Sequence, residues 1–357
     1  MAATARQTDI DTLRAMACIA LVSFHVVGYT PQSGMELSAG HPLHVLQAGL
    51  TPLRMPLFIF LSGVVFAPLF LDGPGWLARR LLSKARRLLL PLASVASLFW
   101  LAMWVMGREV PPFGQFLWQP FAHFWYLQAS FAIMSLTLVL LAVSEGRVVP
   151  AALGLLTIGL AGPALLPGWI DNPFAIRQAF TFAPFFAAGL LWQARVRPVM
   201  TVTRRTRRLG GLLVVGAVLA GYAAAFDLVP LDRSGLLVTG LTGCAGLLLL
   251  APRHAGLAQL GRASYAVYLF HVFFTAGTLA VLARVWPDAP VTAVYALALL
   301  AGLAGPVMLE RLLLAVPVLK VLCLGLRSRT PSAGGARVSV APDPVAPLLA
   351  GAGRTAR

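Results

Sequence analysis

Two ionisable side chains lie inside the first apolar segment of the chain, Arg14 and, eleven residues later, His25. Each residue of an α-helix turns the side-chain direction by about 100°, so the two side chains share one helix face, roughly 16 Å apart along the axis. An imidazole gains and loses a proton near neutral pH, so it can serve as a general base or as a nucleophile. Because ionisable residues are costly inside a membrane, the pair is a functional-site hypothesis. The alternative is that Arg14 extends to the interface and His25 is a packing residue.

A second histidine, His271, lies inside the ninth apolar segment. Ser264, Tyr268 and His271 are spaced i, i+4 and i+7, so they share one face of a helix. We expect His271 near the middle of the membrane. Its two interpretations are a site residue and a buried histidine that hydrogen-bonds to a neighbouring helix.

Aromatic and basic residues mark the outer ends of two further segments. The fourth begins with His123 and the pair Trp125-Tyr126, and the sixth begins with Arg177. Interfacial anchoring is the ordinary explanation for aromatic residues there, and extension to water is the ordinary explanation for a lone arginine. As functional residues, they would surround the outer mouth of a site.

The composition indicates the class of protein that positions these side chains. Of 357 residues, 59% are hydrophobic and 11% are charged, whereas a soluble protein carries about 25% charged residues. Apolar stretches of about 20 residues recur along the chain, and each can cross a hydrocarbon core of about 30 Å. We therefore predict an all-α polytopic membrane helix bundle.

Lysine and arginine collect in alternate loops, which places both termini in the cytoplasm and requires an even number of spans. The apolar stretches give a count of ten. This bias also explains the net charge of +16 without a nucleic-acid partner. The stretch from Arg79 to Arg87 is expected to be a cytoplasmic loop that contacts lipid or, alternatively, binds the phosphates of a cofactor. The expected spans are residues 10–29, 52–71, 88–106, 121–143, 148–166, 174–193, 210–226, 235–251, 263–283 and 291–309.

The chain is expected to form one transmembrane domain over residues 1–326, followed by a disordered cytoplasmic tail over residues 327–357. The tail is rich in Ser, Pro, Gly, Ala and Arg, which is typical of disorder. Residues 315–326 are too short to span and are expected at the cytoplasmic surface. Cys18, Cys244 and Cys323 stand alone, so neither a disulfide framework nor a metal site is expected.

Together these motifs resemble the acyltransferase 3 family of integral-membrane acyltransferases, over roughly residues 9–311. The small residues Ser62 and Gly63 in the second span belong to this resemblance, although close helix approach is their commoner explanation. The matching residues are Asp11-x-Leu13-Arg14 with His25, Pro56-x-Phe58-x-Phe60-Leu61-Ser62-Gly63, the Arg79–Arg87 stretch before Pro91, Phe124-Trp125-Tyr126-Leu127, and Ser264-Tyr265-x-x-Tyr268-x-x-His271.

The resemblance implies transfer of an acyl group, acetyl in particular, from a cytoplasmic acyl-CoA to a sugar hydroxyl. The sugar would belong to a cell-envelope glycan, a lipid-linked glycan or a secreted metabolite. By resemblance His25 is the catalytic histidine and Arg14 handles the donor, with no metal involved. Some members carry a fused extracytoplasmic hydrolase-like domain, whereas this chain is expected to act through its membrane domain alone, in a bacterial-type inner or plasma membrane.

The physical chemistry of acyl transfer fits these residues. An anionic acyl-CoA would meet basic side chains at the cytoplasmic face, namely Arg14, Arg79, Arg80, Arg86 and Arg87. The acceptor would arrive from the outer mouth, where its binding residues are expected to be His123, Trp125, Tyr126, Arg177, Tyr268 and His271. Direct transfer and an acyl-histidine relay both remain open.

A transporter or flippase of a lipid-linked glycan or small anionic metabolite is the main alternative, and a sensor or scaffold is the other. A transporter typically shows repeated halves or acidic residues at mid-depth. No internal repeat is visible, and the acidic residues fall in loops, tails or span ends. The sequence therefore favours the acyltransferase.

Overall fold

The structure is a computed structural model that describes residues 2–28, 33–38, 40–66, 73–166 and 171–327. These residues form helices and connecting turns, with no strand among them. The predicted tail lies outside the described residues except for Arg327. In chain order the helices are α1 Ala2–Val27, α2 Pro42–Gly49, α3 Thr51–Val64, α4 Trp76–Val105, α5 Trp125–Val143, α6 Val148–Leu165, α7 Ile176–Leu191, α8 Arg204–Ala225, α9 Arg233–Leu250, α10 Ala255–Arg262, α11 Ser264–Val285, α12 Val291–Ala315 and α13 Pro317–Leu324.

The predicted all-α polytopic bundle is confirmed. Within the described ranges, nine helices are long and apolar enough to cross a membrane, and the count reaches ten if the bent pair α2–α3 forms one span. The protein is therefore a multi-pass membrane protein. The number of spans agrees with the expected ten only when that pair is counted as one.

The second span differs from its prediction. Helix α3 has 14 residues, about 21 Å at 1.5 Å per residue, and is too short to cross about 30 Å of hydrocarbon alone. It ends at Val64 rather than at residue 71, and α2 precedes it at an angle of 41°. Pro52, in the first turn of α3, explains the break because proline lacks the N–H that a continuous helix would need there.

The basic stretch from Arg79 to Arg87 is helical, so the prediction of a loop there is wrong. Helix α4 begins at Trp76 and continues for 30 residues through the third predicted span. Leucine, alanine, lysine and arginine all favour helix, and nothing between Trp76 and Arg87 interrupts it. The basic side chains therefore project from the first turns of a helix that continues into the membrane.

Helix α1 lies at the centre of the bundle, packed against α2, α3, α10, α11 and α12. Glycines permit the closest approaches. A Cβ atom at Gly261 of α10 would lie 1.7 Å from the carbonyl oxygen of Asp11 on α1. A Cβ atom at Gly63 would lie 2.2 Å from the carbonyl oxygen of Phe186, and one at Gly189 would lie 2.2 Å from that of Phe60. Helices α3 and α7 are thus in backbone contact, which confirms the interpretation of Gly63 as a residue of close helix approach.

Candidate active site

Three histidines from distant parts of the sequence meet inside the bundle. The rings of His25 and His271 lie 4.9 Å apart between centroids, those of His123 and His271 lie 5.1 Å apart, and those of His25 and His123 lie 6.1 Å apart. Helix α1 supplies His25, α11 supplies His271, and the 3₁₀ turn Ala122–Phe124 before α5 supplies His123. We call these three residues the histidine cluster.

The protonation of His271 follows from its hydrogen bonds. Its Nδ1 atom lies 2.9 Å from the carbonyl oxygens of Val267 and of Tyr268. Carbonyl oxygens only accept, so in the neutral ring Nδ1 carries the proton and Nε2 carries the lone pair. Within the described part of the chain, Nε2 of His271 and Nε2 of His123 are both buried without a hydrogen-bond partner. Such atoms are costly to leave unsatisfied, which is typical of a site that receives a ligand group or a proton.

Two tyrosines connect this cluster with the predicted cytoplasmic half of α1. The rings of Tyr126 and Tyr268 lie 5.0 Å apart, and those of Tyr268 and His123 lie 5.6 Å apart. The Tyr268 hydroxyl donates to the backbone carbonyl of His123. The Tyr126 side chain forms a hydrogen bond with the Ser62 side chain and also interacts electrostatically with Arg14. We call Arg14, Tyr126, Tyr268 and the histidine cluster the polar column, in which ring contacts link Tyr126 to the histidines and a longer-range electrostatic interaction links Arg14 to Tyr126.

Arg14 is held in the column by an ion pair. Its Nη1 atom lies 3.0 Å from the carboxylate of Asp11, one helical turn earlier. A carboxylate at this spacing fixes the orientation of the guanidinium and leaves its other N–H groups to act as donors. The prediction that Arg14 and His25 belong to one stripe agrees with this arrangement, because both ends of the polar column lie on α1.

An open cleft of about 800 Å³ ends at His25. It lies between the C-terminal end of α1, residues 33–36, the C-terminal ends of α4 and α11, and the first turn of α12. Its walls are mostly apolar, and charged Glu36 and Arg108 also line it. Because α1 runs from the predicted cytoplasmic side, this cleft opens on the predicted outer side. His25 therefore lies where the polar column and the cleft meet.

The outer-mouth residues predicted from the sequence divide into two groups. His123, Tyr126, Tyr268 and His271 lie in the polar column described above. Trp125 instead stacks on Phe182, with ring centroids 5.6 Å apart. Arg177 is the second residue of α7, where its backbone N–H donates to the Asn172 side chain. Neither Trp125 nor Arg177 lines the cleft, and their binding of substrate stays a prediction.

The four arginines of α4 have two kinds of surroundings. Arg86 donates to the carbonyl oxygen of Gly325, and Arg87 donates to that of Leu324 and lies 3.9 Å over the ring of Tyr265. These two arginines therefore satisfy carbonyl groups at the end of α13, which packs against α4. Arg79 and Arg80 lie nearer the start of α4, and Arg79 donates to the Pro74 carbonyl. Binding of a cofactor by any of the four remains a prediction.

Arg54 was not singled out from the sequence. Its guanidinium carbon lies 3.6 Å from the centre of the ring of Phe24, the residue directly before His25. Arg54 is the fourth residue of α3, and the available signal was the apolar run that follows it within the same helix.

The geometry can support proton transfer and nucleophilic chemistry at an imidazole beside a cation. Within the described ranges, no group of three or more His, Cys, Asp or Glu side chains is arranged to hold a metal ion. The expectation of a metal-free site stays a prediction.

Comparison with known proteins gives one match. A family model described as an acyltransferase domain matches residues 7–311, nearly the whole chain. No curated protein and no solved structure gives a significant match.

Proposed function

The chain belongs to the acyltransferase 3 family of membrane acyltransferases, and on that premise we propose that it transfers an acyl group from acyl-CoA to a sugar hydroxyl. Acetyl is the group proposed, and the donor is cytoplasmic. The acceptor is a sugar of a cell-envelope glycan, a lipid-linked glycan or a secreted metabolite. The membrane is a bacterial-type inner or plasma membrane. One observation carries the proposal: His25 lies where the polar column meets the cleft.

The donor is proposed to approach along the polar column from the end that Arg14 occupies. Arg14 and the N-terminal turns of α4 supply positive charge, which suits the phosphates of coenzyme A. The column then offers hydroxyl and imidazole groups on the way to His25. A thioester that follows this path brings its carbonyl carbon to the histidine cluster while the anionic part of the coenzyme stays at the basic end.

His25 is proposed to act as the general base. It takes the proton from the acceptor hydroxyl as that oxygen attacks the carbonyl carbon of the thioester. The carbon–sulfur bond then breaks, an ester bond has formed, and the proton passes from His25 to the departing sulfur. The products are the acylated sugar and the free thiol of coenzyme A. A base placed at the inner end of a cleft is suited to this direct transfer, because hydroxyl and thioester can meet at one imidazole.

The acceptor is proposed to enter through the cleft. Its mostly apolar walls and its charged residues Glu36 and Arg108 suit a molecule with both an apolar and a polar part. A sugar joined to a lipid or to an apolar aglycone has this character. We therefore propose the cleft, rather than the surface near Trp125 and Arg177, as the route of the acceptor.

The test is thiol release by the purified protein in nanodiscs. Acetyl-CoA is supplied with octyl glucoside, whose sugar hydroxyls and alkyl chain match the cleft, or with methyl glucoside, which lacks the chain. We expect acceptor-dependent thiol release, and its loss in His25→Ala while thermal melting shows a folded protein. A folded wild-type protein that releases no thiol with these acceptors and with longer acyl-CoA donors would contradict the proposal and favour the transporter.

A further inference from the structure

The proposed mechanism so far assigns no role to Arg54, a cation that contacts the residue directly before His25. It lies on α3, which packs against α1. Its guanidinium covers the ring of Phe24, the residue directly before His25, and the rings of Phe24 and His25 lie 5.3 Å apart. Arg54 and His25 thus both contact Phe24.

The hydrogen bonds of Arg54 are incomplete. Its Nη1 atom is buried and has no hydrogen-bond partner in the described part of the chain. None of the ion pairs among the described residues includes Arg54. The guanidinium carbon lies 3.6 Å over the Phe24 ring, a cation–π contact that leaves the N–H groups of Arg54 able to donate. A buried guanidinium donor without an acceptor is costly, which points to an acceptor that arrives with a ligand.

Two other partly buried arginines have protein acceptors for their guanidinium groups. Arg233 donates to the carbonyl oxygens of Leu160, Gly159 and Phe180. Arg87 donates to the carbonyl of Leu324 and covers Tyr265. Arg54 shares the aromatic contact of Arg87 but has no protein acceptor for its buried Nη1 atom. Arg54 is therefore better explained as a ligand-binding group than as a structural link.

We propose that Arg54 is a catalytic residue whose Nη1–H donates to the carbonyl oxygen of the transferred acyl group. The inference rests on the proposed function. As the hydroxyl oxygen bonds to the carbonyl carbon, the π electrons of the carbonyl move to its oxygen, which becomes an anion. Arg54 stabilises that charge, and the charge returns to the carbonyl as the carbon–sulfur bond breaks. The proton travels from the hydroxyl through His25 to sulfur, so Arg54 neither gains nor loses one.

A donor aimed at the developing oxyanion acts on the transition state more than on the bound substrate. Removing one such donor costs about 100- to 1,000-fold in kcat. A cation that binds an anionic group of the acceptor would instead change KM and leave kcat nearly unchanged. The division of the effect between kcat and KM therefore separates the two roles.

The experiment measures thiol release from acetyl-CoA with octyl glucoside for Arg54→Gln, Arg54→Lys and Arg54→Ala in nanodiscs. We expect Arg54→Gln to lose about 100- to 1,000-fold in kcat with KM changed less than about threefold. Lysine is expected to recover part of the loss because it keeps the charge. Added guanidinium ion is expected to restore activity to Arg54→Ala but not to His25→Ala.

Arg233→Gln is the matched control, since it removes a guanidinium that serves only backbone carbonyls. It is expected to lower the melting temperature and to keep kcat when assayed below that temperature. Folded Arg54→Gln with at least half the wild-type kcat, or a loss confined to KM, would overturn the inference while leaving the proposed function intact. A folded wild-type protein without thiol release would overturn the proposed function and this inference with it.

Discussion

His271 lies 4.9 Å from His25 between ring centroids, and its Nδ1 proton is held by two carbonyl oxygens of its own helix. Its neutral ring can therefore accept a proton or a hydrogen bond only at Nε2. This restriction makes His271 a fixed acceptor beside the proposed base, and the roles of the two histidines are expected to differ.

Replacing His271 is expected to lower kcat without removing activity. His271→Gln keeps a polar group but has no ring nitrogen that can take a proton, so the loss should be about 10- to 100-fold. A group that itself transfers the proton contributes up to about 10,000-fold in rate, so the loss expected for His271→Gln is smaller. The measurement is the pH profile of thiol release for the variant and the wild type. His254→Asn, which keeps a side-chain acceptor at the start of α10, is the control; an unchanged profile in His271→Gln would contradict the prediction.

Filling the cleft is expected to exclude the acceptor. Ala280 lines the cleft, whereas the adjacent Val281 is 58% exposed and does not line it. Ala280→Trp should lower kcat/KM for octyl glucoside by at least about tenfold because the indole occupies the space of the alkyl chain. Slow thiol release without acceptor should be unchanged. Val281→Trp adds the same ring outside the cleft, and equal losses in the two variants would contradict the proposed route.

Adding one methyl group at Gly63 is expected to destabilise the protein. The Cβ atom would lie 2.2 Å from the backbone carbonyl oxygen of Phe186, so α3 and α7 must separate. Overpacking of this kind costs about 1–3 kcal/mol. Thermal melting in nanodiscs measures the effect, with Gly216→Ala as the control because no atom lies within 4 Å of that added Cβ. Similar melting temperatures for Gly63→Ala and the wild type would argue against the close contact.

The arginines of α4 are expected to separate into structural and donor-binding residues. Arg87→Met should lower the melting temperature because the carbonyl of Leu324 loses its donor and α13 loses one of its hydrogen bonds to α4. Arg79→Ala and Arg80→Ala should raise KM for acetyl-CoA with little change in melting. Because charge attraction is screened by salt, their effect should shrink at high ionic strength. A KM unaffected by Arg79→Ala and Arg80→Ala together would remove the start of α4 from the donor site.

Much of this arrangement could be predicted because the membrane restricts the backbone to helices and makes buried polar residues conspicuous. The histidines were therefore visible in the sequence as exceptions within apolar segments. Their mutual contact was not visible, because facing between α1, α5 and α11 depends on packing between helices distant in sequence. The helical repeat places side chains within one helix only.

The errors have local physical causes. The short helix α2 was not predicted, because its eight residues are too few to span a membrane and include His44 and Gln47. The helical start of α4 was read as a loop because its positive charges dominate a hydropathy pattern, although leucine and arginine favour helix. Arg54 was missed because α2, which precedes it, was not predicted. Without α2, Arg54 stood at the expected edge of the second span rather than inside the membrane.

The backbone contact between α3 and α7 also has a mechanical consequence. At Gly63 and Gly189 a backbone carbonyl oxygen of the opposite helix lies so close that no side chain would fit between the helices. We therefore expect α3 and α7 to move as one unit, together with Arg54 and Ser62. Helix α12 is less enclosed by other helices than α3 and α7 are, since many of its side chains face outward. If turnover requires the bundle to open, the motion is expected between α12 and its neighbours beside the cleft, while the α3–α7 pair serves as the fixed frame.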